Sequence, residues 1–275
     1  MNKLSRIIRY LIILSAFITF ATLLFVVGYI LVRGIPYIKP SLFALEYTTE
    51  NVSLLPAIVG TIIMIVLALL ISAPLGIFTG FYLVEYARRD NKLVEIIRIT
   101  AETLSGIPSI VYGLFGLLFF VTALSWGFSL IAGAFTLAIM ILPLIMRSTE
   151  EALLAVPDML REASFGLGAG KLRTIFRVVL PTAMPGILAG IILSIGRIVG
   201  ETAALIYTAG TVAQIPANLF DSGRTLAIHM YALSREGLYT NQAYATAVVL
   251  LVVVIGINAL STSISKRLTK GNLDG

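Results

Sequence analysis

Long uncharged apolar segments alternate with short polar ones along the chain, and the apolar segments have the length of membrane-spanning helices. A helix needs about 20 apolar residues to cross a hydrocarbon core of about 30 Å. Six predicted spans follow: Tyr10–Val32, one within Val52–Val84, two within Thr103–Met146 divided near Ser125–Gly127, Ala183–Tyr207, and one within Gly237–Ser265. The pattern predicts an all-α integral membrane protein with six transmembrane helices. We divide it into residues 1–54 (an anchor span and the first loop), a transmembrane core at 55–265 and a tail at 266–275.

The first apolar segment follows three basic residues, as in a signal peptide. Its 23 residues exceed the apolar region of about 7–15 residues in a signal peptide, and no small-x-small cleavage site follows. We therefore expect an uncleaved anchor.

Composition narrows the functional classes. The chain is 58% hydrophobic and 12% charged, about half the charged fraction of an ordinary soluble domain. With no cysteine and one histidine, a disulfide framework, a thiolate site and a multi-histidine metal centre are excluded. We expect no catalytic residues and no metal. His229 lies in a predicted external loop, where a solvated or locally bonded role is expected.

The distribution of basic residues indicates the orientation. Of the 20 Lys and Arg residues, 15 fall in the two termini and in the second and fourth loops, four fall in the remaining loops, and Arg197 lies inside a span. By the positive-inside rule both termini are cytoplasmic. The net charge of +6 is thus explained by topology, and nucleic acid is not an expected partner.

Two charged segments are predicted to form helices outside the membrane. Apolar residues recur at helical spacing in Glu85–Ser105, which predicts an amphipathic helix on the membrane surface or under the bundle. In the fourth loop, 147–182, Ser148 with Glu151 fits a capping box that begins a helix, and Pro157-Asp158 fits a second helix start. Glycines at 166, 168 and 170 then permit a sharp turn, and a short helix is predicted to end at Pro181.

This loop resembles the EAA loop of type I ABC importer permeases, which reads E-A-A, three residues, G, nine residues, I-x-L-P. The chain has Glu162-Ala163-Ser164, then Gly168, then Val178-Val179-Leu180-Pro181. The resemblance implies the type I importer permease fold, with a coupling helix that sits in a cleft of an ATP-binding subunit. The residues it assigns to coupling are Glu162, Ala163, Ser164, Gly168, Leu180 and Pro181.

A phosphate-binding loop is the rival interpretation of these glycines. It needs Gly, four residues, Gly-Lys and then Ser or Thr. The sequence has Phe165 at the first position and Leu172 at the last. We therefore expect no ATP hydrolysis by this chain and no cofactor of its own, with ATP bound by a partner subunit.

The fifth span carries both charge signs. Arg197 and Glu201 are four residues apart, so in a continuous helix they lie on one face, together with four glycines. A charged residue in a span rarely faces lipid and often marks a transport path. The Arg guanidinium suits a tetrahedral oxyanion. Hydrogen phosphate carries a proton and can donate a hydrogen bond to the Glu201 carboxylate, whereas sulfate cannot. The alternative is a salt bridge that only fixes helix packing.

The segment Arg161–Thr208, with Gly-Glu-Thr-Ala after the intramembrane Arg, resembles the phosphate-specific (Pst) permeases. So do Gly106–Gly113 and His229–Tyr244, and the first loop favours the A-type over the C-type subunit. The resemblance implies a phosphate importer of the prokaryotic inner membrane with pathway residues Arg197, Glu201, Thr202, Ser109 and Tyr112. Helix packing is an equal alternative for Ser109 and Tyr112.

The implied partners are a C-type permease subunit, two ATP-binding subunits and a periplasmic or lipid-anchored phosphate-binding protein. Three alternatives remain: a permease for sulfate, molybdate or phosphonate, a secondary anion carrier, and an intramembrane enzyme. An inverted repeat of spans would favour the carrier, and the sequence shows none.

Overall fold

A computed structural model describes residues 3–88 and 91–270, and every regular element in these ranges is helical. The α-helices are α1 (Lys3–Gly34), α2 (Leu55–Phe81), α3 (Lys92–Ser105), α4 (Ser109–Gly116), α5 (Leu130–Leu154), α6 (Asp158–Gly166), α7 (Lys171–Thr174), α8 (Leu180–Gly200), α9 (Ala203–Ile206), α10 (Leu226–Glu236) and α11 (Thr240–Lys270). The prediction of an all-helical protein is confirmed. Arg89, part of the basic second loop, and residues 271–275 of the predicted tail lie outside the described residues.

Three π-helical turns extend these helices. Tyr82–Tyr86 continues α2, Leu117–Ala123 continues α4, and Ile175–Val179 joins α7 to α8. With these turns and the 3₁₀ turn Ile35–Tyr37 after α1, five helices within the described residues are long and apolar enough to cross a membrane: Ile7–Tyr37, Leu55–Tyr86, Leu130–Leu154, Lys171–Gly200 and Thr240–Leu260.

The sixth candidate span, which is the third in chain order, is a pair of helices joined at a sharp bend. The helix Lys92–Ser105 meets Ser109–Ala123 at 101°, so α3 is the amphipathic helix predicted for this region and only α4 with its π turn enters the apolar zone. Asn91 begins α3 by accepting a hydrogen bond from the Leu93 amide at 3.0 Å. The third span is therefore shorter than the sequence predicts, because Gly106-Ile107-Pro108 turns the chain.

Two predicted helix boundaries in the fourth loop are wrong. Ser148 does not begin a helix but lies inside α5. Pro181 does not end one, because the π turn Ile175–Val179 carries the helix from α7 into α8, of which Pro181 is the second residue. The predicted start at Pro157-Asp158 is confirmed as the beginning of α6.

Helix α5 is the centre of the bundle, with two-thirds of its apolar stretch buried. Small residues let its neighbours approach closely. A β-carbon on Gly76 of α2 would lie 2.9 Å from the Ile145 side chain, and one on Gly190 of α8 would overlap Ser148. Close helix approach at small residues is the common way to pack helices in lipid.

Helix α1 stands apart from this bundle. Its apolar side chains are exposed along most of its length. It reaches α11 near its C-terminal end, where the Tyr29 and Tyr244 rings lie 5.8 Å apart and Gly34 packs on the Tyr244 backbone.

Candidate functional site

Arg197 lies in the last turn of α8 and lines an open cavity of about 820 Å³. The polar groups around this cavity are Arg197, Asn258 and Thr262, and the rest of the lining is apolar or glycine: Leu144, Ala189, Ile192, Leu193 and Gly196. Among the described residues, no carboxylate lies within 4.0 Å of the guanidinium. The side chain is thus a half-buried cation that faces an open space between α8 and α11.

The predicted stacking of Glu201 on Arg197 is wrong. Helix α8 ends at Gly200, and Glu201 has extended backbone angles (φ −74°, ψ 128°). Because residues four apart face each other only within a continuous helix, the break separates the two. Glu201 is instead buried, and its Oε1 accepts a hydrogen bond from the Ala204 amide at 3.0 Å, so it caps α9.

The four glycines predicted to share one face also divide into two pairs. Gly186 and Gly190 pack against Ala152 and Ser148 of α5. A β-carbon on Gly196 or Gly200 would meet nothing within 4 Å. The Arg197 end of α8 is therefore open, whereas its other end is closed by helix packing.

The other predicted pathway residues lie beside this break. Thr202 is half-buried at the N-cap of α9. Ser109 is the first residue of α4, and Tyr112 is buried with its hydroxyl donating to the Leu104 carbonyl at 2.7 Å. Neither Ser109 nor Tyr112 lines the Arg197 cavity. The Tyr112 contact joins α4 to the end of α3, which favours the packing alternative for this residue.

Helix α6 and the turn after it carry the predicted coupling residues. Glu162 and Ala163 are exposed, while the Ser164 hydroxyl lies 2.8 Å from that of Thr174 and so ties α6 to α7. Gly168 has a φ of +80°, a left-handed conformation that glycine adopts without a steric penalty. Leu180 and Pro181 are half-buried in the first turn of α8.

This surface also exposes large apolar side chains: Met159 (71%), Leu167 (90%), Leu172 (62%) and Phe176 (57%). Met159 and Leu167 lie on α6 and its turn, whereas Leu172 and Phe176 line an apolar groove beside Phe78 and Tyr82 at the end of α2.

An ion pair fixes α6 to the bundle. Arg161 Nη2 lies 2.9 Å from Glu85 Oε1 in the π turn after α2, and Arg161 also donates to the carbonyls of Leu153 and Val156. Sequence reasoning missed this contact, since 76 residues separate Arg161 from Glu85.

The expectation for His229 is wrong. It lies on α10 and is fully buried, beside the buried side chain of Arg224 and the ring of Tyr47. No motif in the sequence indicates this cluster, because Tyr47 comes from a loop about 180 residues away.

The sequence family described as binding-protein-dependent transport system inner membrane component matches residues 72–271. The chain is 35% identical to the probable ABC transporter permease protein YqgI of Bacillus subtilis, with 93% of this chain and 94% of that one covered. It is 35% identical to the phosphate transport system permease protein PstA of Pasteurella multocida, with 94% and 91% covered.

Solved structures share the fold at low sequence identity. A chain of a bacterial ABC transporter involved in the import of alginate superposes with a TM-score of 0.70 at 17% identity, covering 98% of this chain and all of that one. A chain of the MetNI methionine ABC transporter in an inward-facing conformation gives a TM-score of 0.60 at 21% identity, covering 78% and 93%. These similarities confirm the predicted type I importer permease fold.

Proposed function

The chain belongs to the binding-protein-dependent transport system inner membrane component family, and from this premise we propose that it is the permease subunit of an ATP-driven importer of inorganic phosphate. It is a multi-pass inner-membrane protein and not itself a catalytic enzyme. The observation that carries the proposed substrate is Arg197, a cation that faces an open cavity and has no carboxylate within 4.0 Å in residues 3–88 and 91–270. Relatives named as phosphate transport permeases support the same substrate.

Arg197 would bind the anion directly. Its planar guanidinium donates several hydrogen bonds to a tetrahedral oxyanion and stays charged at all physiological pH values. Asn258 and Thr262 would add neutral polar contacts from α11. Because the cavity is open on one side, a second permease subunit of C type would cover it and complete the path.

Glu201, Thr202, Ser109 and Tyr112 would shape the path around this cation. Glu201 fixes the break between α8 and α9, and Gly113 of α4 lets α9 pack closely, with a β-carbon there 2.8 Å from Ala204 Cα. These four residues would thus hold the α8 terminus and the Arg197 side chain in place, and none of them is proposed to contact phosphate directly.

Coupling to ATP would run through α6. Its exposed apolar surface fits a cleft in an ATP-binding subunit, and Glu162, Ala163 and Gly168 would lie in that contact. Two such subunits and a phosphate-binding protein on the other side of the membrane would complete the importer. The excess of Lys and Arg near α6 and at both termini supports a cytoplasmic location for this end of the molecule.

Reconstitution tests the function. The chain is purified with the proteins that co-elute, placed in proteoliposomes with the binding protein, and assayed for ATP-dependent uptake of labelled phosphate. We expect uptake to fall at least about tenfold in Arg197→Gln, because a hydrogen bond to a charged group contributes about 1.5–3 kcal/mol. Arg197→Lys should retain part of it, and Arg235→Gln, an exposed residue on α10, serves as the control.

Two results would contradict the proposal. Full uptake by Arg197→Gln would remove this residue from the pathway. Competition by sulfate, molybdate or a phosphonate at concentrations equal to phosphate would identify a permease for a different oxyanion.

A further inference from the structure

Two neighbouring side chains hold most of the unpaired buried polar atoms in residues 3–88 and 91–270. Arg224 is 6% exposed and His229 is 0% exposed. Within these ranges Nε and Nη2 of Arg224 have no hydrogen-bond partner, and the ring nitrogens of His229 have none beyond a loose contact with the Val52 backbone. The Thr149 hydroxyl is the one further buried side-chain atom there without a partner. A buried guanidinium without a counter-ion costs free energy. A bound ligand would lower this cost by supplying the hydrogen-bond partners that these two side chains lack.

The pair lies at the end of the bundle where α2 begins. The Leu226 amide donates to Thr61 Oγ1 at 2.9 Å, and the Arg224 carbonyl packs on Gly60. The other end of α2 carries Glu85 and its bond to α6. The Arg224 and His229 side chains are therefore at the opposite end of the molecule from the coupling surface.

Tyr47 separates the pair from an open cavity. The Arg224 Cζ atom lies 4.6 Å from the Tyr47 ring centroid, and the imidazole meets the same ring edge-on at 6.1 Å. Tyr47 also lines a cavity of about 420 Å³ together with Leu45, Glu46, Gln214 and Ile215. Displacement of the Tyr47 side chain would connect this cavity with Arg224 and His229.

The loop that carries Tyr47 is held in a fixed and strained conformation. Asn51 Oδ1 accepts from the Thr48 and Ser53 amides at 2.9 and 3.0 Å, and Asn51 Nδ2 donates to the Glu46 carbonyl at 2.8 Å. Val52 has a φ of +47°, which is unfavourable for a β-branched residue. Strain of this kind persists where the surroundings impose it and clusters at ligand sites.

The two side chains differ in hydrogen-bonding capacity. Burial, and then the neighbouring charge of Arg224, lower the pKa of His229 to about 3. The imidazole is therefore neutral at physiological pH, with one nitrogen as donor and the other as acceptor, whereas Arg224 only donates. The Val52 backbone takes up the ring N–H, which leaves the other nitrogen as an acceptor. A ligand that fits both side chains therefore accepts bonds from the guanidinium and donates one to the imidazole. Hydrogen phosphate does both, and sulfate has no proton to donate.

We propose that Arg224 and His229 form an anion site for inorganic phosphate, reached by displacement of the Tyr47 side chain and separate from Arg197. This proposal rests on the proposed function, because it adds a second station for the same anion on the side from which the binding protein delivers it. The Arg197 and Tyr47 cavities share no lining residue, so the two stations can be tested independently.

Thermal unfolding of the detergent-purified transporter, followed on the full-length chain, tests the site. The titrant is sodium phosphate, compared with sodium chloride and sodium sulfate at equal ionic strength. We expect phosphate to raise the unfolding temperature of the wild type, of Arg197→Gln and of Tyr47→Ala. In the Arg197→Gln background, where the first station is removed, the shift should be absent once Arg224→Gln or His229→Phe is added, and reduced once Arg224→Lys is added. Arg235→Gln, exposed on α10, is the matched control and should keep the full shift.

A second readout separates a ligand site from a structural role. Without phosphate, Arg224→Gln should unfold at the same temperature as the wild type or higher, because an unpaired buried cation has been removed. A large loss of stability in that variant would assign Arg224 to packing. Retention of the phosphate shift in the Arg197→Gln/Arg224→Gln double variant, an equal shift of Arg197→Gln with sulfate, or no shift in Arg197→Gln with phosphate would each overturn the proposal.

Failure of the Arg224 site and failure of the proposed phosphate importer give different results. Phosphate uptake with no phosphate-dependent shift would contradict the Arg224 site and leave the importer intact. A shift that requires Arg224, in a reconstituted transporter that takes up no phosphate, would contradict the importer and leave the site.

Discussion

Arg161 on α6 donates from both Nε and Nη2 to one carboxylate oxygen of Glu85, at distances of 3.1 and 2.9 Å. Both side chains are largely buried, with 14% and 9% exposure. Glu85 lies in the π turn that ends α2, so this pair joins the proposed ATPase contact to a helix that crosses the whole membrane zone. Movement of α6 would therefore pull directly on α2.

Removal of Glu85 should uncouple the transporter. We expect Glu85→Ala to destabilise the chain by about 1–3 kcal/mol, because the largely buried Arg161 then keeps only the exposed Asp158 as a carboxylate partner, at 3.2 Å. The change should also lower transport per ATP hydrolysed. Thermal unfolding and parallel ATPase and uptake assays measure the two effects. The control is Glu102→Ala, which removes a 3.9 Å contact with Arg147 between exposed side chains and should cost less than about 1 kcal/mol. Equal effects of the two changes would refute a special role for the buried pair.

The backbone at Gly168 should be essential for the shape of the coupling turn. No atom lies within 4 Å of a β-carbon placed there, so the penalty of Gly168→Ala comes from its φ of +80°. A left-handed conformation costs about 1–2 kcal/mol for a residue with a β-carbon. We expect weaker co-purification of the ATP-binding subunit, with Gly168→Asn affected less than Gly168→Val because Asn tolerates this region.

Gly166→Ala provides the comparison, since its β-carbon is equally unobstructed and its φ is not positive. It should leave the ATPase contact unchanged. If Gly166→Ala and Gly168→Ala behave alike, the left-handed turn is not what the partner recognises.

The two halves of α8 should respond differently to added bulk. Gly190→Ala would force the Ser148 side chain of α5 aside and should destabilise the isolated chain by about 1–3 kcal/mol, the usual cost of overpacking. Gly196→Ala meets nothing within the chain and should leave its stability unchanged. Unfolding of the purified chain, followed by a test of assembly with the second permease, measures both.

Assembly lost in Gly196→Ala alone would place the subunit interface at the Arg197 cavity. A destabilised Gly196→Ala chain would contradict that location.

His229 should make stability depend on pH. The native pKa of about 3 lies below the 6.5 of an ordinary imidazole, so the unfolded chain takes up this proton first. The free energy of unfolding should therefore fall by about 1.4 kcal/mol per pH unit as the pH drops from about 6.5 toward 3, with no contribution above 6.5. The titratable groups that face the imidazole are Arg224 and Tyr47.

Unfolding of the wild type and of His229→Phe is compared from pH 7.5 to 4.5 in phosphate-free buffer. The difference between the two proteins isolates the histidine from the carboxylates that titrate nearby. Parallel curves for the two proteins would show that the imidazole is protonated or solvated in the native state.

Long uncharged apolar runs were sufficient to locate the spans other than the bent third one, because a run of about 20 apolar residues is long enough to cross the bilayer. It could not locate the end of α8. Gly200-Glu201-Thr202 contains no obligatory helix breaker, and the break depends on Glu201 capping α9, which packs on Gly113 of α4. The predicted pairing of Arg197 with Glu201 failed for this reason, although the location of Arg197 at an open cavity agrees with the pathway hypothesis.

Long-range contacts account for the other differences. Pro181 is compatible with either end of a helix, and only the continuous packing of α8 against α5 decides that the chain goes on. Arg224 and His229 appear in the sequence as ordinary residues of a polar loop. They become buried because the segment around Asn51 folds over them, and nothing in the local sequence of either segment indicates this contact.

The bent third span has a consequence for the surrounding lipid. α4 and its π turn comprise eight and seven residues, or about 22 Å at 1.5 Å per residue, against a hydrocarbon core of about 30 Å. Leu114, Leu118 and Phe119 on this segment are exposed, so the bilayer beside it must thin locally unless another subunit covers it. Hydrophobic mismatch of this kind costs fractions of a kcal/mol per Å. The cost of this mismatch would thus rise with the length of the lipid acyl chains, so thicker membranes would favour subunit association along α4.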